Sequence, residues 1–216
     1  TNGVDLKSNK KVLSYAKIFP NVRAALGLYP THAIDASVED LVEVIKFIEQ
    51  NKKKIVAIGE VGIDFYHITD AKEMKKEVAA FKKMITLANK INKPLIVHSR
   101  KATDAALDVL KTAKVPVIMH CFDGNELQTH EAMKRGYYFT IPANFWTRKG
   151  FKKTARRVPI DRLLTETDSP YLSPIEGENR SENVRYAIEK LAELKDMTYR
   201  KVEDQIYQNF MKIFNK

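Results

Sequence analysis

The amino-acid sequence predicts an α/β protein whose architecture is a TIM-type (β/α)8 barrel. Short runs that are nearly continuous in apolar residues alternate with longer amphipathic runs, which is typical of a parallel sheet covered by helices on both faces. No glycine-rich loop follows the first strand, so the pattern does not indicate an open nucleotide-binding sheet. Polar side chains end several strands, as they do at the mouth of a barrel. The 216 residues suffice for one core, and we expect a single domain over 1–216.

Six strands are predicted from short apolar runs bounded by polar residues or glycine. The second run ends in Gly59 and Glu60, and Gly136 stops the helix that precedes the fifth run. The predicted strands are 22–28, 55–58, 94–97, 115–119, 137–141 and 163–165.

The helices are predicted from apolar residues at helical spacing and from their capping residues. Ser37 is expected to cap a helix that reaches about Gln50, because two acidic residues follow in its first turn. Asp70 opens a long helix to about Asn92. The remaining helices are predicted from about 103 to 112, from just after 120 to about 135, over 149–157, and as two helices that close the chain.

Composition restricts where the protein works. No run of about 18 apolar residues is present, so we expect no membrane span. The first residues lack the basic and then apolar layout of a secretory signal. The single cysteine, Cys121, allows no internal disulfide, which is typical of a cytoplasmic protein, and we interpret it as a packing residue.

The formal net charge of +10 is large for a chain of this length. A basic surface attracts polyanions, of which nucleic acid is the commonest. A lysine-rich surface that maintains solubility, or one typical of a thermophile, explains the same charge. The charge alone leaves these alternatives open.

Four predicted strands end in a side chain that can bind a metal ion: Glu60, His98, His120 and Asp168. The carboxyl ends of barrel strands meet at one mouth, so we expect these side chains to converge. Two imidazoles and two carboxylates suit Zn²⁺, Mn²⁺ or Mg²⁺. A bound cation lowers the pKa of its water, and Asp168 is placed to accept the proton of that water. One polar strand end is unremarkable, but four in succession indicate a site.

Four segments carry a family resemblance. They read IGEVGIDFYH (58–67), PLIVHSRKATDAALDVL (94–110), VIMHCFDG (117–124) and LLTETDSPYLSP (163–174). Together they resemble the successive motifs of the TatD-related deoxyribonucleases, metal-dependent hydrolases within the amidohydrolase superfamily of TIM barrels. The closing segment, with residues 179–182 and then 208–210, is also similar to the family's ending.

The resemblance implies roles for the strand-end residues. Glu60 would bridge two divalent metal ions, and His98 and His120 would complete the shell of one ion. Asp168 would serve as a ligand and as the general base. Glu60 and Asp168 are therefore the predicted catalytic residues.

The sequence departs from the family's pattern in two places. Family members begin with a strand that carries a His-x-His pair of metal ligands, whereas this chain opens inside what resembles the second strand. We therefore expect a barrel that is incomplete at the N-terminus, with roughly 35 to 40 residues preceding Thr1 in the family. Many relatives also place a histidine where this chain has Tyr29. His32 either takes over that substrate-facing role or is a loop residue without one.

Several further residues are predicted to contact substrate. Arg100 suits bidentate phosphate binding, with a salt bridge to Asp64 or Glu60 as the alternative. Tyr66 is expected to line the pocket, and Asp64 either lines it or supports the loop. The segment 148–157 contains six cations beside two aromatic residues, which suits a single-stranded or frayed DNA end, although such a run is also typical of a solvated helix face. Its predicted DNA-binding residues are Arg148, Lys149, Arg156 and Arg157.

The favoured hypothesis is a monomeric divalent-metal phosphodiesterase that trims 3′ ends of DNA or cuts at damaged sites. An alternative is a metal-dependent amide or ester hydrolase, such as an aminoacyl-tRNA deacylase. A nucleic-acid-binding barrel that has lost catalysis is the hypothesis from a different class of protein.

Overall fold

The structure is a computed structural model that describes residues 1–215. The chain divides into two compact units, one from Thr1 to Ile118 and one from Met119 onward. Each unit contains parallel strands that alternate with helices. Within residues 1–215, no helix has both the length and the apolar character that a membrane crossing requires.

The first unit begins with an isolated parallel bridge between Asn2 and Ala25. Its elements in chain order are α1 (Leu6–Ile18), β1 (Ala25–Leu26), α2 (Pro30–Asp35), α3 (Val38–Gln50), β2 (Ala57–Gly62), α4 (Ala71–Ile91), β3 (Leu95–His98), α5 (Thr103–Val109) and β4 (Val117–Met119), which runs to the boundary. A 3-10 turn over Leu110–Thr112 extends α5.

Strands β1, β2 and β3 are parallel neighbours, and their pairing fixes the register of the site. Leu26 pairs with Ile58, and Gly62 pairs with His98. Gly62 has a φ of +148°, and a Cβ atom there would lie 2.0 Å from the carbonyl oxygen of His98. Only glycine allows β2 to approach the end of β3 this closely.

Capping side chains set the starts of the helices that cover these strands. The Ser37 hydroxyl accepts a hydrogen bond from the Asp40 amide, and the Asp40 carboxylate accepts one from the Ser37 amide. The Asp70 carboxylate caps α4 through the amides of Lys72 and Glu73. The bonds between Ser37 and Asp40 are reciprocal, and both caps satisfy amides that the first helical turn leaves without partners.

The second unit contains α6 (Glu126–Lys134), β5 (Tyr138–Pro142), α7 (Lys149–Arg157), β6 (Leu163–Glu166), α8 (Val184–Lys195) and α9 (Tyr199–Phe214). Strands β5 and β6 are parallel and pair from Phe139 with Leu163 to Pro142 with Glu166. Every residue of β5 is buried, as expected for a strand covered on both faces.

The buried amide of Asn209 ties α9 to the segment that leads into β6. Its Nδ2 atom donates to the carbonyl oxygens of Ile160 and Leu163, at 2.8 Å and 2.7 Å. Gln205 Nε2 donates to its Oδ1 atom at 2.9 Å. These bonds satisfy a polar group inside the unit, where an unmade bond is costly.

All six predicted strands are present, and the α/β prediction is confirmed. The first predicted strand, 22–28, is regular only over Ala25–Leu26. The second extends four residues beyond 58, so Glu60 lies inside β2 and does not follow it. Helices α1 and α2 were absent from the predictions. Helix α1 is rich in lysine and buries only Asn9 and Val12, which leaves a weak apolar pattern, and α2 is six residues long and contains His32, which was considered as a loop residue.

We expect Asn209→Ala to lower the free energy of unfolding by about 1 to 3 kcal/mol, since it removes the donor to two carbonyl oxygens. Chemical denaturation measures this change. The matched control is Gln208→Ala, which removes an exposed amide next to it and should change stability by less than about 0.5 kcal/mol. Equal effects of the two substitutions would contradict the structural role of Asn209.

Candidate active site

A buried carboxylate, Asp64, organises the end of β2. Its side chain is fully buried. Oδ1 accepts the amides of Tyr66 and His67 at 2.9 Å and 3.0 Å, which fixes the turn that follows the strand. Oδ2 lies 2.8 Å from His98 Nε2 and 3.0 Å from His67 Nδ1. Burial raises the pKa of Asp64, but the hydrogen bonds from His98 and His67 outweigh it, and the pKa lies well below its ordinary value.

His98, the last residue of β3, lies between two carboxylates. Its Nδ1 atom is 3.1 Å from Glu60 Oε1, and its Nε2 atom faces Asp64. The Tyr29 hydroxyl is 3.3 Å from both Nε2 and Asp64 Oδ2. Burial lowers the pKa of His98, but the hydrogen bonds to Asp64 and Glu60 raise it more, so the net pKa is raised. The ring is thus held in one orientation by its neighbours.

Glu77, on α4, supports Asp64 from behind. Its Oε1 atom accepts the Asp64 amide at 2.9 Å, and the side chain is buried. Among the described residues, Oε2 has no hydrogen-bond partner. Burial, with a smaller contribution from the Asp64 charge, raises the pKa of Glu77 from 4.5 to about 7. A neutral glutamic acid next to an ionised aspartate avoids two adjacent buried charges.

The second unit repeats this pattern around His120, which follows β4. His120 Nδ1 lies 2.5 Å from Glu166 Oε2, and His120 Nε2 lies 3.6 Å from Asp168 Oδ1. The Thr140 hydroxyl donates a short hydrogen bond to Glu166 and accepts one from the Cys121 amide at 2.9 Å. The imidazole is therefore held by a carboxylate on one side and faces Asp168 on the other.

The loop that carries Asp168 is braced by buried Asn179. Asp168 has a φ of 56°, a left-handed conformation that aspartate tolerates better than most residues. Its carbonyl oxygen accepts the Tyr171 amide at 2.9 Å. Asn179 Nδ2 donates to the carbonyl oxygens of Thr167 and Tyr171, at 2.5 Å and 2.7 Å. These bonds fix the backbone on both sides of the carboxylate.

A model of the family described as TatD related DNase matches residues 1–215. The chain belongs to this family. It is 34% identical to YabD of Bacillus subtilis, over 98% of this chain and 85% of YabD. It is 35% identical to MJ1582 of Methanocaldococcus jannaschii, over 100% of this chain and 84% of that protein. Both are described as uncharacterized metal-dependent hydrolases. Human deoxyribonuclease TATDN3 is 32% identical over 90% of this chain and 73% of its own length.

Solved structures show the same fold. The TatD homolog YJJV from Escherichia coli matches with a TM-score of 0.88 at 23% identity, covering 100% of this chain and 85% of that one. A TatD-family hydrolase from Entamoeba histolytica matches with a TM-score of 0.87 at 19% identity, over 99% of this chain and 83% of that one. The predicted barrel class is therefore confirmed, and the chain is a member of a metal-dependent hydrolase family.

The predicted ligands of this TatD-family chain occur as two pairs, Glu60 with His98 in the first unit and His120 with Asp168 in the second. Across residues 1–215, no three histidine, cysteine or acidic side chains are grouped so as to hold one ion. In each pair, however, one ring nitrogen faces the other predicted ligand. The second nitrogen is held by a carboxylate, as is usual for a metal-binding histidine. The donors therefore fit a divalent cation chemically.

The side chains of Arg100 and His32 contact groups other than the carboxylates around His98. The Arg100 guanidinium makes no salt bridge to Asp64 or Glu60 in the described structure, and it stacks over the Tyr66 ring at 3.7 Å. His32 Nδ1 contacts the carbonyl oxygen of Val4 at 2.9 Å. Of the two residues considered for the family's histidine position, Tyr29 is the one that touches His98.

The predicted DNA-binding cations of the segment 148–157 differ in exposure and in ion pairing. Phe151, Thr154 and Ala155 form the buried face of α7, and the cations Arg148, Lys149, Lys152, Lys153 and Arg156 are exposed. Arg157 is less exposed and forms an ion pair with Glu126 at 3.0 Å. A Cβ atom at Gly150 would lie 2.9 Å from the Asp123 side chain, so the helix begins against the loop that follows His120.

Sequence reasoning missed Glu166 and Glu77. Glu166 precedes Asp168 by two residues, and residues two apart near a strand end share one face, which is a signal that the sequence contained. Glu77 stands on a lysine-rich helix where an acidic residue is expected to be exposed. Its role depends on a tertiary contact with the Asp64 amide, and no local pattern reveals that contact.

The raised pKa of Glu77 makes stability depend on pH. Between about pH 4.5 and pH 7 the folded protein retains a proton that the unfolded chain releases, so the free energy of unfolding falls as pH rises through this window. Glu77→Gln keeps an oxygen for the Asp64 amide and does not ionise. We expect it to remove this decline and to be more stable than the parent above pH 7, by on the order of 3 kcal/mol.

Thermal or denaturant unfolding at a series of pH values measures the effect. Glu43→Gln, which changes an exposed glutamate on α3, is the control and should follow the parent curve. Parallel curves for Glu77→Gln and the parent would show that Glu77 titrates normally.

Proposed function

We propose that this protein is a divalent-metal-dependent phosphodiesterase that hydrolyses DNA. The proposal rests on the orientation of the His98 and His120 imidazoles. In each ring, a carboxylate holds one nitrogen, and the other nitrogen faces a predicted metal ligand. A bound divalent ion would lower the pKa of a water molecule and polarise a phosphoryl oxygen. Glu60, His98, His120 and Asp168 would hold two such ions, Mg²⁺, Mn²⁺ or Zn²⁺.

The residues of this chain contribute orientation and proton transfer. Asp168 is partly exposed on a braced loop, where its carboxylate accepts the proton of the attacking water. Glu166 holds the Nδ1 side of His120 and so fixes which nitrogen faces Asp168. Asp64 does the same for His98. Glu60 lies inside β2, between the paired residues Ile58 and Val61 where the register with β3 shifts, and its amide donates to the carbonyl oxygen of Gly3 at 3.2 Å.

Charge supports DNA as the substrate. The exposed cations of α7 and the guanidinium of Arg100, which has no ion pair within residues 1–215, suit a phosphate backbone, and the net charge of +10 attracts it from a distance. A human relative is named as a deoxyribonuclease. Single-stranded or frayed ends are the favoured form, because the partly exposed Trp146 precedes the basic helix, whereas Phe145 beside it is buried. We expect the protein to act as a monomer in the cytoplasm, in agreement with its single cysteine.

The proposal is tested by incubating the protein with single-stranded DNA and Mg²⁺ or Mn²⁺. We expect the DNA to be digested, and excess chelator should abolish the digestion. Asp168→Asn should reduce turnover by at least about 100-fold, because the general base is lost, and should leave DNA affinity largely unchanged. Asp161→Asn changes an exposed carboxylate in the same unit and is the control. If the protein leaves DNA intact but hydrolyses an aminoacyl ester, it is an acyl hydrolase and the proposal is wrong.

The contrast between Arg156 and Arg157 tests the role of α7. Arg156→Gln should weaken DNA binding and reduce the slope of log affinity against log salt by about 0.7 for single strands, since one phosphate contact is lost. Arg157→Gln should change the slope less, because Glu126 already neutralises that charge. Titrations at several salt concentrations measure both slopes. An unchanged slope for Arg156→Gln would identify α7 as a solvated helix face.

A further inference from the structure

We propose that Tyr66 and Arg100 form a stacking subsite for one nucleobase of a single-stranded substrate, next to the predicted metal ligands of the first unit. This subsite rests on the proposed function, because it assumes a nucleic-acid substrate. It adds the recognition of an unpaired base to the phosphate contacts described above.

The geometry of the pair is that of a preformed platform. The guanidinium carbon of Arg100 lies 3.7 Å from the centre of the Tyr66 ring, which is stacking distance. His67 meets the same ring edge-on, with 4.9 Å between ring centres and an angle of 87°. Even with these neighbours, Tyr66 remains 53% exposed. An exposed aromatic ring is thus held in a fixed orientation without being buried in a core.

The position of the platform is set by the buried network of the site. The amide of Tyr66 donates to Asp64, whose other oxygen faces His98. Arg100 follows His98 by two residues, and its carbonyl oxygen accepts the Phe65 amide at 3.1 Å. Both halves of the platform are therefore tied to the backbone that carries the His98 imidazole. A base on the platform would place its own phosphate near that imidazole.

The charge of the platform selects an anionic aromatic ligand. In the described part of the chain, Arg100 has no carboxylate within ion-pair distance, so its charge is available to a phosphate. Stacking on Tyr66 leaves the edges of the guanidinium, which carry its hydrogen-bond donors, facing outward. A nucleotide supplies both the aromatic face and the phosphate. A base inside a duplex has no free face, so the ligand is an unpaired base.

The test uses a set of single-stranded 12-nucleotide DNAs, each with 2-aminopurine at a different position, and the protein in excess chelator to prevent cleavage. Binding should change the fluorescence at one or two adjacent positions. Tyr66→Ala should abolish this local change and weaken binding about 10-fold, whereas Tyr66→Phe should retain both. Tyr207→Ala, which removes a tyrosine that is 61% exposed on α9, is the matched control and should bind like the parent.

An abasic site at the responding position gives the sharper comparison. It should weaken binding by the parent protein about 10-fold and by Tyr66→Ala hardly at all, because both changes remove the same stacking contact. Arg100→Gln should also reduce the salt slope by about 0.7, whereas Tyr66→Ala should leave it unchanged. Together these results separate the stacking of the base from the neutralisation of the phosphate.

Several outcomes overturn the subsite. A fluorescence response spread evenly over all positions, or an abasic penalty that is the same in the parent and in Tyr66→Ala, would do so while the proposed function stands. The subsite would also be wrong, with the proposed function intact, if Tyr66→Ala bound DNA with the parent affinity and cleaved it with metal at the parent rate. If the parent protein neither binds nor cleaves single-stranded DNA, the proposed function and the subsite both fail.

Discussion

The carboxylate of Asp64 is the group on which the first half of the site depends. A fully buried negative charge is costly unless several donors surround it. Here the donors are two backbone amides of the turn and the rings of His67 and His98, so satisfying the charge also positions the turn and both rings. Glu77 completes the arrangement, because its raised pKa keeps it neutral next to Asp64 below about pH 7. The same hydrogen bonds thus satisfy a buried ion and orient a predicted ligand.

The second unit also contains a carboxylate that holds an imidazole, but this carboxylate is less buried than Asp64. Glu166 ends β6, and its Oε2 atom contacts the Thr140 hydroxyl of the neighbouring strand and His120, whereas its buried Oε1 atom has no hydrogen-bond partner among the described residues. Asp168 lies two residues further on, outside the strand, and is partly exposed. The first of these carboxylates orients a ring, and the second is the general base that we propose, so the end of the strand separates an inner supporting position from a more exposed outer one. Two carboxylates with different surroundings can take different roles.

The sequence predicted the order of elements well, because buried parallel strands and amphipathic helices have strong periodicities. It placed α7 at its observed bounds and identified Ser37 and Asp70 as caps. It did not predict α1, whose buried face is two residues, or the extension of β2 through Glu60. Strand-end histidines were visible as motifs. Of the carboxylates that hold them, Asp64 was expected either to line the pocket or to support the loop, whereas Glu166 was missed although it precedes Asp168 by two residues. Their roles arise from contacts between residues 26 to 46 positions apart in the chain, such as Glu166 with Thr140 and His120.

Burial also separates the side chains that fix the backbone from those that we propose to contact the substrate. Asp64, Glu77 and Asn179 are buried, and each bonds to backbone amides or carbonyls, so each fixes the chain. The exposed groups are Tyr66, Arg100 and the outer cations of α7. In the described structure, the charges of these cations are not neutralised by a carboxylate, whereas Arg157 is paired with Glu126. A side chain that is already neutralised gains little from a phosphate, whereas an exposed cation fixed by stacking loses little entropy when it binds one. Under the proposed function, recognition of a polyanion therefore depends on the exposed groups that the fold holds in place without neutralising them.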